Sequence, residues 1–119
     1  MKLTAFQELG MLICLIDGCV SIHDLHSYSQ LYFIEKSKGA VDFTAKLNTD
    51  KDGKLELHLC IAIKKRLLLL NIKDKRVNDI CPNRELTFPE AMRRVHWVGE
   101  KSIVVATRVE YHLFSDVRK

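Results

Sequence analysis

Leu12-Ile13-Cys14-Leu15-Ile16-Asp17-Gly18-Cys19-Val20-Ser21-Ile22-His23-Asp24-Leu25 decides the fold class. Two apolar runs flank an Asp-Gly pair. That pair supplies the positive φ angles of a type I′ turn, whose twist matches two antiparallel strands. The segment therefore predicts a β-hairpin. The first run is apolar at every position, so it is expected to be covered on both faces, as an inner strand of a stacked sheet is.

Outward from this hairpin the apolar period stays at two. Leu55, Leu57, Leu59, Ile61 and Ile63 alternate with Glu56, His58, Cys60 and Ala62. Alternation sends successive side chains to opposite sides, so this segment is expected to bury one face. Val41, Phe43, Ala45 and Leu47 repeat the pattern just upstream. The polar stretch Asn48-Thr49-Asp50-Lys51-Asp52-Gly53-Lys54 between the two reads as a hairpin loop. Gln30 to Glu35 is a further strand candidate, ahead of Lys38-Gly39. Leu67 to Ile72 returns after a basic turn at Lys64 to Arg66. Ser102 to Thr107 and Val109 to Phe114 form another pair after Gly99-Glu100-Lys101. Pro89 is compatible with the first turn of a helix carrying Ala91, Met92, Val95 and Val98, but a strand from about Arg94 to Val98 is favoured. Leu3 to Leu9 is open. Many short strands joined by tight turns predict an all-β sandwich, barrel or propeller.

At 119 residues, nearly half of them apolar and over a quarter charged, the chain has the composition of one ordinary globular domain. Its formal net charge of +4 is spread over Lys64-Lys65-Arg66, Lys73 with Lys75-Arg76, Arg93-Arg94 and Arg118-Lys119. Carboxylates lie near most of these groups, so they read as solvated turns; no concentrated stripe or interleaved stacking aromatics supports nucleic-acid binding. Contact with phosphate or acidic lipid stays open. No apolar run reaches membrane-spanning length, and Gln7 and Glu8 interrupt any signal-peptide core after Met1-Lys2-Leu3, so a cytoplasmic location is expected. Cys14, Cys19, Cys60 and Cys81 form no CxxC pair. Cys14 and Cys19 flank the tight turn within diagonal reach of each other, but a reducing cytosol favours buried thiols. All four are read as core residues.

Each constellation that imitates a site fails on spacing. Asn48, Asp50, Asp52 and Gly53 resemble the start of a calcium loop, yet the twelfth position is Leu59 inside a strand, where a bidentate glutamate is needed. His23, His26, His58, His96 and His112 are scattered. His23 and Asp24 are adjacent on a strand and so point to opposite faces, which prevents a relay. No GxSxG elbow or phosphate-binding glycine loop occurs. The expectation is no catalytic residue, no cofactor and no metal. Trp97, Tyr111 and Phe114 are read as core or inter-sheet aromatics before an exposed patch.

The order of these segments resembles a known family. Val20-Ser21-Ile22-His23-Asp24-Leu25 after its hairpin turn is similar to a propeller strand pair ending in a "vhDL" corner. Glu35-Lys36-Ser37-Lys38-Gly39-Ala40 and the strand Val41 to Leu47 follow. Leu59-Cys60-Ile61-Ala62-Ile63-Lys64-Lys65-Arg66-Leu67 is similar to a "cvavkkkl" hairpin. Phe88-Pro89, His96-Trp97, Ser102-Ile103-Val104-Val105 and Tyr111-His112-Leu113 then fall in the same order. Together they resemble the citron homology domain, in the form found in the HOPS membrane tether (homotypic fusion and vacuole protein sorting). The resemblance covers roughly residues 10–114. Ala106-Thr107 stands where the family often carries a glycine, at a turn or strand edge.

The resemblance implies an all-β fold of two to three β-propeller blades, with 1–119 an incomplete citron homology domain. It implies no enzyme. It implies a protein-interaction scaffold in membrane tethering, with HOPS subunits and a late-endosomal Rab GTPase as partners and no nucleic acid. The expected location is cytoplasmic, peripheral on late endosome and lysosome or vacuole. The alternative is a small self-contained β-barrel that binds anionic lipid or nucleic acid through its basic turns. An incomplete set of blades is also expected to self-associate.

Overall fold

The computed structural model describes residues 1–73, 76–80, 86–99 and 101–115. Regular structure among them is strand, with two single 3-10 turns at Gln7–Leu9 and Glu35–Ser37. The chain divides into two compact units, Met1–Ala40 and Val41–Lys119.

The first unit is a four-stranded antiparallel sheet in chain order: β1 (Lys2–Phe6), β2 (Met11–Ile16), β3 (Cys19–Asp24) and β4 (Gln30–Ile34). Ile16 pairs with Cys19, leaving Asp17-Gly18 as a two-residue loop, and both have positive φ, 53° and 74°. This is the backbone that the Asp-Gly pair predicts. The turn is also docked. The Gly18 carbonyl accepts the N–H groups of Gly39 (2.9 Å) and Ala40 (3.1 Å). Beside it the buried Ser37 hydroxyl accepts the N–H of Val20 at 2.8 Å and donates to the Ile34 carbonyl. Ile13, Cys14 and Leu15 are buried in succession, so the centre of β2 is covered on both faces, as its unbroken apolar run predicts.

The second unit carries two sheets. One runs β5 (Ala40–Thr49), β6 (Leu55–Ile63), β7 (Arg66–Lys73), β8 (Arg76–Asp79), with β9 (Leu86–Thr87) also on β7. β8 pairs with Leu70 to Lys73 and β9 with Arg66 and Leu67, so two short strands share one edge. At four and two residues they are too short to show a period in sequence. The other sheet is β10 (Met92–Val98), β11 (Ser102–Thr107) and β12 (Tyr111–Phe114). Residues 89–98 thus form no helix, and the favoured strand is present, two residues longer than expected at its start.

Three antiparallel sheets with neighbouring strands consecutive in sequence are the strand plan of propeller blades. The all-β, two-to-three-blade expectation holds. None of the three sheets closes on itself among the described residues, which overturns the small-barrel alternative.

The one-face expectation for Leu55 to Ile63 is corrected. From Glu56 to Ile63 every residue of β6 is buried, on both sides. Cys60 and Ala62 join Leu67, Leu69, Met92, Val95, Trp97, Ile103 and Val105 in one core between the two sheets. Leu57, Leu59 and Ile61 on the opposite side are fully buried too. β5 departs in the same way: Val41 is exposed, whereas Asp42, Phe43 and Thr44 are buried in a row.

Candidate functional site

Polar side chains concentrate where β5 and β6 meet β10. Among the described residues β10 is an edge strand, so its outward N–H and C=O groups have no ladder partner there in their own sheet. Side chains of β5 satisfy them. Asp42 Oδ2 accepts the Val95 N–H at 2.8 Å, and Thr44 Oγ1 accepts the Trp97 N–H at 3.3 Å. Lys46 Nζ donates to the Gly99 carbonyl at 3.0 Å and lies 4.4 Å from the centre of the Trp97 ring. Residues 42, 44 and 46 share one side of β5, while 95, 97 and 99 share one side of the facing strand and turn. A period of two on each strand thus gives a ladder of side-chain-to-backbone bonds.

A second node adjoins it. Trp97 Nε1 donates to the His58 carbonyl at 3.2 Å, and the two rings are tilted at 6.3 Å. His58 is completely buried, with Nε2 3.0 Å from Glu56 Oε1. Glu56 Oε1 also accepts Asn48 Nδ2 at 2.7 Å, and Oε2 accepts Asn71 Nδ2 at 3.0 Å. Burial raises the pKa of Glu56. The hydrogen bonds from Asn48, Asn71 and His58, with the His58 charge, outweigh burial and set the net shift downward. Glu56 and His58 are two apart and so share a side of the strand, a placement that their spacing carries in sequence.

The calcium-like loop is bound to its own backbone. Asp50 Oδ1 accepts the N–H groups of Asp52 and Lys54, each at 2.9 Å, and Oδ2 pairs with Lys73. The Lys73 ammonium and these backbone donors hold the Asp50 carboxyl down at about 2. Among the described residues, no group of three or more His, Cys, Asp or Glu side chains gathers to hold a metal.

The other histidines stay apart. His23 Nε2 lies 2.9 Å from Ser21 Oγ and Nδ1 3.1 Å from the Tyr28 carbonyl, whereas Asp24 Oδ1 accepts the N–H groups of His26 and Ser27. His23 and Asp24 therefore serve different partners. His112 stands 3.3 Å from Glu110, and His96 is exposed. Trp97 is core, Phe114 packs edge-on to Phe88, and Tyr111 is exposed, so the aromatic set is split. Cys14, Cys19 and Cys60 are free thiols, Cys19 only half-buried; Cys81 lies outside the described residues. Burial, then the charge of Asp42, raises the Cys60 thiol far above its ordinary value, which keeps it a protonated core residue.

Among the basic groups, Lys64 and Lys65 form the expected exposed turn. Arg93 and Arg94 do not. They lie within β10, both exposed, because the pairing with β11 shifts register between Met92 and Arg94. Such a bulge turns two neighbouring side chains toward solvent together. Lys75 and Arg118-Lys119 lie outside the described residues. No helix of the described residues is long and apolar enough to cross a membrane.

No protein-family model matches the chain. Over 107 residues, 90% of this chain, it is 30% identical to the Vam6/Vps39-like protein of Homo sapiens and 29% identical to that of Mus musculus. The chain spans about 12% of the length of each of these relatives.

Proposed function

Because the chain is related to the Vam6/Vps39-like proteins over nearly all of its length, we propose that it is part of a citron homology propeller that serves as a protein-interaction scaffold in membrane tethering. The 107-residue similarity carries this reading. Residues 1–119 are then blades of one incomplete domain. The setting is the HOPS complex at late endosomes and lysosomes or the vacuole. The chain acts there as a peripheral, non-enzymatic component in contact with other HOPS subunits or a late-endosomal Rab GTPase.

The internal arrangement supports a scaffold. Asp42, Thr44, Glu56 and His58 are all nine-tenths or more buried, with Asp42 and Thr44 bonded to β10, Glu56 to Asn48 and Asn71 of the flanking strands, and His58 to Glu56. A nucleophile or base must reach its substrate, and these groups are enclosed by the packing they maintain.

The test is a pull-down with the chain as bait against GTP-loaded late-endosomal Rab and recombinant HOPS subunits. Retention of either above a GDP-loaded or unrelated-protein control is expected. Recovery of neither would remove the partner assignment.

A further inference from the structure

The β6–β7 turn carries Lys64 and Lys65 and is held rigidly. Met92 N–H donates to the Lys64 carbonyl and Phe88 N–H to the Lys65 carbonyl, each at 2.7 Å. Lys64 has a φ of 51°, a left-handed conformation that glycine adopts at less cost than lysine. Pinned against residues 88–92, the turn borders two adjoining cavities of about 460 and 550 Å³ that share Lys65 and Ala91. Their linings are mainly apolar, with Ile63 in one and Val41, Pro89 and Met92 in the other. The exposed cations Lys64, Lys65, Arg93 and Arg108 stand around them, and among the described residues Glu90, in the larger one, is the carboxylate that faces them. The bulge in β10 contributes here, since it turns Arg93 outward at the rim.

We infer that this cationic, apolar-floored recess docks an acidic peptide segment of a partner protein, one apolar side chain entering the cavity while flanking carboxylates meet the lysines and arginines. Charge complementarity selects an acidic occupant. The recessed apolar floor selects a side chain over a bilayer, because interfacial insertion needs apolar groups that project. Among the described residues, no aromatic lines either cavity to stack a base. A free phosphate would leave the apolar floor unused.

The experiment is fluorescence anisotropy on the full chain with a short labelled peptide of Asp and Glu around one central Leu. Counterparts replace the Leu with Ser or the acids with Lys. Saturable binding of the Leu peptide is expected, weakened about tenfold or more by Lys65→Glu or Arg93→Glu and by added salt. Ala91→Phe, which keeps every charge and fills the shared wall, is expected to weaken it as well. Unchanged emission of Trp97 shows that a variant is folded. Equal binding of the Ser peptide, or full binding by a folded charge-reversal variant, overturns the inference. So does sedimentation with phosphatidylserine vesicles that depends on the same residues while the peptide fails to bind, since that makes the recess a lipid site. The assay contains no HOPS subunit and no GTPase, so its failure leaves the tethering proposal standing.

Discussion

The Asp42 carboxylate accepts the backbone N–H of Val95 at 2.8 Å, across 53 residues of chain and between two different sheets. A buried side chain here takes the place of a neighbouring strand, since the N–H it caps belongs to an unpaired edge. Asp42→Ala would leave that donor buried without an acceptor, at a cost of about 1–3 kcal/mol. Asp42→Asn keeps a carbonyl oxygen in position and is expected to lose less. Urea midpoints of the two variants, compared at constant m-value, give the order directly.

Trp97 is the chain's one tryptophan and is 94% buried, 6% of its surface remaining exposed. Trp97→Ala is expected to cost about 3–5 kcal/mol through the cavity it leaves. Trp97→Phe retains most of the packing but removes the donor to the His58 carbonyl, so its cost is expected to be smaller. Thermal unfolding followed by far-UV circular dichroism ranks the pair. Equal losses would mean that the hydrogen bond dominates.

Glu56 sets the sign of the acid response. Its folded pKa lies below its ordinary value, so it binds its proton less readily folded than unfolded. Its contribution to stability is therefore complete above the ordinary glutamate pKa of about 4.3 and is lost as pH falls through the lower folded value. Glu56→Gln is expected to flatten this part of the acid limb. Denaturation midpoints from neutral pH downward measure it, and an unchanged slope in the variant would assign the acid response to other carboxylates, Asp50 first among them.

Gly18 has a φ of 74°, and a Cβ placed there would come no nearer than 3.8 Å to another atom outside its neighbours. Space is available, so the cost of Gly18→Ala is conformational, about 1–2 kcal/mol. Asp17→Asn keeps a residue that tolerates left-handed backbone and is expected to be nearly neutral. Midpoint shifts of the same size in both variants would contradict the turn assignment.

β12 forms an edge of its sheet among the described residues, with Tyr111 79% and Leu113 63% exposed. An apolar open edge invites pairing with another chain. The isolated protein is expected to self-associate with rising concentration, and Leu113→Lys to reduce this. Sedimentation velocity over a concentration series measures both. A wild-type chain that stays monomeric throughout would refute the expectation.

The sequence by itself determined the strands and the tight turn. A period of two cannot be satisfied by a helix, and Asp17-Gly18 has few backbone options other than the one it adopts. The motif order was equally local, and it led to the relatives that the chain matches. Burial was not local. Glu56 and His58 are polar and alternate with leucines, a pattern that by itself predicts burial of one face only. Only the packing of β10 against their side of β6, with Asn48 and Asn71 brought in from β5 and β7, encloses them. The ladder from Asp42, Thr44 and Lys46 to residues 95, 97 and 99 was invisible for the same reason. Each partner is ordinary on its own strand, and the hydrogen bonds exist only because tertiary structure sets two edges side by side.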